Sequence, residues 1–374
     1  MEPVVNVTEK AAKQIQNIFE NTNSTYSCGC GDSFSFKMSI PHFFYIRYEA
    51  CEFSPTSWSF LKVIGKDRQR FLSGQITQKI TDLDSGFGRL SCRLNRSGQI
   101  VASFFIFKRD EDFLLAVLDH KEGILKEDLE KFIIMDDVEI LSQENKFKVL
   151  LSSKLPQEVS GQTCQFTYFT DPAFLIPSEI DTHLKVLTKK ELEDYEFFQG
   201  LPRFEKDYSE KTLVNETLFN ELAVDYDKGC FLGQETSAKI HFRRGPANYP
   251  VLLKKLSGNL GVGKIKVSGK SAGEVVDFSE IHGFFRAKMK REFRVQGRKF
   301  EISFETSGEN FQAEVEVHTF PFFKDQTGSE KAQALYHFGV EFFQNGESEK
   351  AKKSLQKAIE FDPLLGDAYE SLGV

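Results

Sequence analysis

The side chains best suited to chemistry are concentrated in residues 225–235. The thiol of Cys230 lies there between Gly229 and Gly233, and glycines this close together predict a tight loop in which backbone can approach a ligand. A thiol becomes a nucleophile or a metal ligand when it is ionised, and the nearby ammonium of Lys228 would favour the thiolate. Cys230 is therefore the first candidate for a functional side chain.

Two further side chains in this stretch add polar chemistry beside the thiol. Gln234 offers hydrogen bonds, and Glu235 offers acid–base capacity. We therefore take Cys230, Lys228 and Glu235 as candidate catalytic residues. The residues alone also allow a second interpretation, in which Cys230 is a buried structural cysteine in a glycine turn.

The same stretch resembles the signature of the YgfZ family, in which Lys-Gly-Cys-Tyr/Phe-x-Gly-Gln-Glu is followed shortly by basic residues. Seven residues fit it: Lys228, Gly229, Cys230, Phe231, Gly233, Gln234 and Glu235. The basic residues that follow are Lys239 and Arg243. The chain departs from the family at Lys239, where relatives have arginine, since a lysine cannot form a bidentate contact with a carboxylate.

Weaker motifs extend the resemblance over about residues 55–310, in the family's order. They are residues 63–67, 71–77, 94–100 and 200–204, followed by Asp207, Thr212, Leu213 and Glu216. A second departure is Glu196, where many relatives carry arginine four residues before the glycine of Gly-x-Pro. If that arginine contacts the tail of a folate, the replacement predicts weaker folate binding.

The resemblance implies an α+β fold, a T-protein-like folate-binding domain of antiparallel sheets with helices, followed by a small β-barrel. It also implies tetrahydrofolate binding and a role in assembling or repairing iron–sulfur clusters of client enzymes, with tRNA modification supported indirectly. Cys230 would then be a thiol donor, a transient cluster ligand or a redox centre. Gln75, Arg93 and Glu216 are the candidate cofactor-binding residues of the folate-binding body.

A second cysteine motif lies near the N-terminus. Cys28 and Cys30 flank a glycine and resemble the C-terminal cysteine pair of A-type iron–sulfur carriers, as residues 7–15 resemble the start of such carriers. Two thiolates could contribute two ligands to a shared, transient iron–sulfur cluster, but not the usual four. The alternative is a vestigial tail with reactive thiols.

Four segments position these residues. Residues 1–40 hold a helix and the Cys-Gly-Cys segment, and residues 45–245 form the folate-binding body. Residues 246–322 form the β-barrel domain, with four short strands at 264–267, 274–278, 287–293 and 300–304. In the body, hydrophobic patterns predict strands at 59–64, 100–107, 113–118, 138–141 and 147–151, and a helix at 120–133.

The fourth segment, residues 328–374, is predicted to be a helical hairpin with the pattern of an incomplete tetratricopeptide (TPR) repeat. The pattern residues are Leu335, Phe338, Gly339, Phe342, Ala351, Leu355, Ala358 and Pro363. One repeat cannot bury a core by itself, so it must pack on another part of the chain or on a partner. Iron–sulfur client or assembly proteins are the expected partners.

Bulk properties narrow the class of protein. The chain has 374 residues and a net charge of -7, which argues against a broad basic face, so no direct contact with nucleic acid is expected. The six cysteines are expected to be reduced thiols and not disulfides. With no signal peptide and no apolar run long enough to span a bilayer, a cytoplasmic protein without membrane contact is expected.

Three functions stay open from the sequence. The first is a tetrahydrofolate-binding factor for iron–sulfur cluster assembly or repair. The second is a folate-dependent aminomethyl transferase, like the T-protein itself, although the cysteine-centred signature argues against it. The third is an interaction scaffold in which the TPR does the work and the folate domain is degenerate. Whether the chain is an enzyme is therefore left open.

Overall fold

The computed structural model describes residues 50–320, with gaps at 153, 157–158, 160–162, 170, 244, 260, 281 and 307–308. It also describes the paired strands Tyr26–Ser27 and Ser33–Phe34 and, near the C-terminus, residues 336, 339–340, 342–343, 348–361 and 371. Pro41–Phe322 form one compact unit, and Met1–Ile40 with Phe323–Val374 form another.

Five antiparallel strands form the first sheet of the larger unit. Side chains alternate between the two faces of a strand, so in Ile100–Lys108 the rings of Phe104 and Phe105 point to opposite sides. Both rings are buried, which requires cover on both faces of the sheet. The strand order is Gly88–Leu94, Ile100–Lys108, Phe113–Val117, Ser59–Ile64 and Glu139–Gln143.

Two helices, Arg68–Gln75 and Glu122–Glu130, cover one face of this sheet. Leu72 from the first helix and Leu129 from the second lie in one core with Phe104 and other strand residues. Each large apolar side chain buried in this way stabilises the fold by about 2 kcal/mol. The predicted α+β body, with helices on one side of an antiparallel sheet, is confirmed.

A second sheet covers the other face through a layer of aromatic rings. Phe105 lies 5.0 Å from Phe166, 5.8 Å from Tyr168 and 5.2 Å from Trp58, measured between ring centroids. Phenylalanine rings thus help to fill the space between the two sheets. The strand order is Cys164–Tyr168, Asp171–Pro177, Phe147–Leu151, Cys51–Phe53 and Lys185–Val186, with only the last pair parallel.

Helix Lys189–Gln199 leads from the sheets toward the barrel. It begins at a capping box, in which the Thr188 hydroxyl accepts the N–H of Glu191 and the Glu191 carboxylate accepts the N–H of Thr188. It ends at Gly200, where φ is +86° and a Cβ would collide with Leu218. The chain then passes through three further short elements: Val214–Glu216, Phe219–Leu222 and helix Gln234–Arg243.

Six antiparallel strands close into a barrel, which confirms the predicted small barrel. Val251, Ile265, Phe285 and Val315 are among the side chains that fill its interior. The structure adds a first and a last strand to the four predicted from the sequence. The order around the barrel is Asn248–Gly258, Phe284–Lys290, Lys270–Ser279, Gly263–Val267, Lys299–Thr306 and Glu309–His318.

In the smaller unit, helix Ser348–Phe361 buries Ala351 and Leu355. Gly339 packs so closely on this helix that a Cβ there would lie 2.5 Å from Cγ of Leu355. These residues belong to the predicted TPR pattern, but most of residues 328–347 and 362–374 lies outside the described part, so the repeat stays a prediction. The N-terminal helix prediction also falls outside the described residues.

Where helices are described, none combines the length and the hydropathy needed to cross a bilayer.

The backbone at Gly65 provides a test of the fold. Gly65 follows strand Ser59–Ile64 with φ +104°, and a Cβ there would collide with the carbonyl oxygen of Asp137. Gly65→Ala should therefore lower the free energy of unfolding by more than about 2 kcal/mol, measured by urea denaturation.

Gly74 is the matched control, because it lies within helix Arg68–Gln75 and nothing is within 4 Å of a Cβ built on it. Gly74→Ala should raise the free energy of unfolding by about 0.5–1 kcal/mol, since alanine favours a helix interior. Similar effects of the two substitutions would contradict the described backbone at Gly65.

Candidate functional site

Cys230 lies in an exposed loop just before helix Gln234–Arg243. The other described cysteines, Cys51, Cys92 and Cys164, are buried. Burial raises the pKa of the Cys92 thiol, and it raises that of Cys164 to about 11, so neither ionises readily near neutral pH. The interpretation of Cys230 as a buried structural cysteine is therefore wrong.

A close backbone contact at Gly233 holds this loop in place. Its φ is +84°, and a Cβ there would lie 2.5 Å from the carbonyl oxygen of Asn95 and 3.3 Å from Cα of Gly98. Asn95 and Gly98 form the turn between the first two strands of the first sheet, so the cysteine signature packs on the 94–100 motif. Gly229 differs, because nothing lies within 4 Å of a Cβ built there. The predicted crowding thus applies to one of the two glycines.

Lys228 anchors the loop through its ammonium group. Its ammonium donates to the carbonyl oxygens of Ser73 at 2.9 Å, Ile76 at 2.7 Å and Gln78 at 3.0 Å. An ammonium has three donors, so all of them are used. Burial lowers the pKa of Lys228 to about 8. These bonds give Lys228 a structural role in holding the loop, and its predicted role in activating Cys230 stays a prediction.

Of the remaining signature residues, Phe231 is buried and the others lie at or near the surface. Gln234 begins the helix and donates its backbone N–H to the carbonyl oxygen of Phe231 at 3.1 Å, and Glu235 is exposed in the first turn. Lys239 and Arg243 are exposed further along the same helix. Glu235 is thus open to solvent and to a partner.

Aromatic rings form part of the surface beside this helix. His241 stacks on Tyr226 with ring centroids 4.2 Å apart, and Phe242 packs edge-on against both rings. Phe242 is nevertheless 68% exposed. An exposed ring beside basic side chains is typical of a surface that contacts a partner.

The three predicted cofactor-binding residues have partners within the protein. Arg93 is fully buried and donates to the carbonyl and side-chain oxygens of Gln75 at 2.8 and 2.7 Å, and to Asp128 at 2.7 Å. Glu216 lies elsewhere and accepts the N–H of Leu213 at 3.4 Å. None of the three lines the cavity beside helix Lys189–Gln199.

That cavity has a volume of about 470 Å³ and opens where the first sheet, helix Lys189–Gln199 and the barrel meet. Sites for small molecules typically measure about 300–1,000 Å³. Trp58, Leu118 and Phe197 provide apolar wall. The charged residues of its lining are Asp119, Glu193, Asp194, Glu196, Arg203, Lys206 and Asp277.

Asp119 reaches the cavity from the turn after strand Phe113–Val117. Asp119 and His120 both have left-handed backbone, with φ of +57° and +52°. This conformation is costly for most residues and persists where the surroundings hold it, often at functional sites. The hydroxyl of Tyr208 donates to Asp119 at 3.1 Å, and burial raises the pKa of this carboxyl. No sequence motif marks Asp119, so the sequence interpretation missed it.

Glu196 is the second carboxyl of the cavity wall, at the position where the chain departs from the family pattern. The hydroxyl of Tyr168 donates to it at 2.6 Å. Burial raises the pKa of Glu196 to about 7, although its hydrogen bond and the cations Arg203 and Arg286 oppose the rise. A carboxyl with this pKa can hold or release a proton near neutral pH.

Arg203 connects the cavity wall to the barrel. It donates to Asp207 at 2.8 Å and to Asp277 at 2.7 Å. Arg286, on a barrel strand, lies 3.1 Å from Asp207 and donates to the carbonyl oxygen of Leu201 at 2.9 Å. Among the described atoms, Nη2 of Arg203 is buried and has no hydrogen-bond partner.

The described residues contain no group of three or more His, Cys, Asp or Glu side chains that could hold a metal ion. Cys28 and Cys30 lie outside the described residues, so their predicted role as iron–sulfur ligands stays a prediction.

The pKa of Glu196 predicts a pH-dependent stability. Between its ordinary value of 4.5 and about 7, the folded protein retains a proton that the unfolded chain releases, so stability falls as the pH rises. Glu196→Gln keeps an acceptor for the Tyr168 hydroxyl and removes the free-energy cost of ionising a buried carboxyl group. It should raise the free energy of unfolding by about 2 kcal/mol near pH 8, with no gain below about pH 4.5, measured by denaturation at both pH values.

Glu127→Gln is the control, since Glu127 is exposed and lies outside the cavity lining. It should change stability equally little at both pH values. A pH-independent effect of Glu196→Gln would contradict the raised pKa.

No protein-family model matches the chain. In sequence it is 26% identical over 235 residues to the tRNA-modifying protein YgfZ of Buchnera aphidicola subsp. Schizaphis graminum, covering 54% of this chain and 72% of that protein. It is 22% identical over 216 residues to the tRNA-modifying protein YgfZ of Klebsiella pneumoniae, covering 50% of this chain and 66% of that protein.

In structure the chain is similar to the glycine cleavage system aminomethyltransferase T from Bartonella henselae, with a TM-score of 0.62 at 16% identity. The match covers 82% of this chain and 96% of that protein. The predicted T-protein-like fold is thus confirmed. The chain has the fold of the glycine-cleavage T-protein and is similar in sequence, over about half of its length, to the YgfZ proteins.

Proposed function

We propose that this protein is a tetrahydrofolate-binding factor that supports iron–sulfur client enzymes, tRNA-modifying enzymes among them. The observation that carries the proposal is the cavity, in which the carboxyls of Asp119 and Glu196 lie beside the apolar wall of Trp58 and Phe197. The likeness to tRNA-modifying YgfZ proteins supports the link to tRNA modification.

The cavity residues suit a reduced folate. The pterin ring is flat and carries N–H donors along one edge, which pair well with carboxylates such as those of Glu196 and Asp119. Trp58 offers an aromatic side chain to the ring. A bound tetrahydrofolate supplies a carrier for one-carbon groups.

Trp58 gives a direct measure of binding, because it is the only tryptophan of the chain and lines the cavity. Tetrahydrofolate should change its fluorescence in a saturable titration. Asp119→Asn and Glu196→Gln should each weaken binding about tenfold, as expected when a hydrogen bond to a charged group is lost. Asparagine tolerates the left-handed backbone at position 119, so that variant should stay folded.

Glu127→Gln is the surface control and should bind like the unchanged protein. No fluorescence change with tetrahydrofolate, confirmed by calorimetry, would overturn the proposal. Tight binding unaffected by both cavity substitutions would place the folate elsewhere and overturn the assignment of this cavity.

Cys230 provides the proposed contact with the client. Its thiol is exposed, on a loop fixed by Lys228 and by the close packing of Gly233. The described residues hold no set of three metal ligands, so in this proposal the cluster belongs to the client and meets a single thiol. Phe242 and the basic residues nearby would pack on the client surface. The C-terminal helical segment is proposed as a further docking element.

The client role can be measured in cells that lack the endogenous protein. Cys230→Ala should abolish rescue of iron–sulfur enzyme activity and of cluster-dependent tRNA modification, since the exposed thiol is lost. Replacing Cys28 and Cys30 with serine should have a smaller effect. Cys164→Ala is the control for loss of a buried thiol.

Full rescue by Cys230→Ala would overturn the role of the thiol and favour a scaffold. Full rescue by Cys230→Ala combined with loss in Glu196→Gln would instead favour one-carbon transfer in the cavity.

A further inference from the structure

The charged residues that line the cavity affect which form of folate it can bind. Its lining holds five carboxyl groups and only two cationic side chains: Asp119, Glu193, Asp194, Glu196 and Asp277 against Arg203 and Lys206. A site that binds a chain of carboxylates would be expected to have the opposite balance.

Both cations are already occupied by protein carboxylates. Arg203 is bound to Asp207 and Asp277, and Nζ of Lys206 lies 3.8 Å from Asp277. Behind the wall, Arg286 is paired with Asp207. The one buried donor left without a partner among these groups is Nη2 of Arg203, and this atom is shielded from solvent.

Two carboxyl groups, Glu193 and Asp194, lie on the solvent-exposed side of the lining, together with the cation Lys206, whose side chain is 60% exposed. Glu193 and Asp194 both line the cavity, and their side chains are 61% and 25% exposed. Nζ of the highly exposed Lys189 lies 3.8 Å from Glu193, and Nε2 of His282, which is charged only when protonated, lies 3.9 Å from Asp194. The exposed Lys189–Glu193 pair neutralises little charge.

We infer that this cavity selects reduced folates with a single glutamate over polyglutamyl forms. The inference rests on the proposed function, because it names which folate the same cavity takes. The pterin ring pairs with the inner carboxyls Asp119 and Glu196, and the strongly hydrated tail stays toward solvent. Each added glutamyl residue brings one more carboxylate toward Glu193 and Asp194, where like charges repel.

The test is a pair of titrations that follow Trp58 fluorescence, with tetrahydrofolate carrying one or three glutamyl residues, in low and in high salt. In low salt the triglutamate should bind about threefold or more weakly, and the difference should shrink in high salt because salt screens exposed charges. Glu193→Lys should reverse the preference in low salt. Glu127→Lys, the same charge change outside the cavity, should leave the ratio of the two affinities unchanged.

The possible failures are distinguishable. Tighter binding of the triglutamate in low salt, or a ratio that Glu193→Lys leaves unchanged, would overturn this inference alone. Absence of binding by both folates would overturn the proposed function and the inference with it.

Discussion

The cavity depends on a buried ion-pair network that joins the sheets to the barrel. The carboxylate of Asp207 forms ion pairs with both Arg203 and Arg286, and Arg203 also donates a hydrogen bond to Asp277 on the barrel. Burial lowers the pKa of Arg286 to about 10, so it remains charged at neutral pH. Removing one member would leave a buried charge without a partner, which typically costs about 3–5 kcal/mol. The network therefore fixes residues 200–208 against the barrel and completes the cavity wall.

The two features proposed to act are held by different means. The cavity collects side chains from four separate stretches of the chain around that network. The thiol of Cys230 lies outside the cavity lining, on a loop fixed by Lys228 and by the contact of Gly233 with Asn95. Part of the signature that draws attention in the sequence is thus structural, since Lys228 and Gly233 fix the loop that presents one exposed sulfur.

Local patterns predicted five of the ten described strands within residues 45–245. The strand expected at 59–64 is Ser59–Ile64, and the helix expected at 120–133 is Glu122–Glu130. Both follow from the periodicity of apolar side chains, which the chain carries locally. Local patterns did not predict whether Cys230 is exposed, because a cysteine flanked by glycines is compatible with a buried or an open loop.

The sequence by itself predicted that a barrel follows an antiparallel body, because alternating apolar residues define strands wherever they occur, but it did not divide the body into two sheets. It also singled out Cys230, because the motif around it is contiguous. Only the tertiary structure decided the cavity, because Trp58, Asp119, Glu196 and Asp277 are far apart in the chain and no local pattern brings them together. It likewise decided what Lys228 does, since the carbonyl groups that bind its ammonium lie some 150 residues away in the sequence.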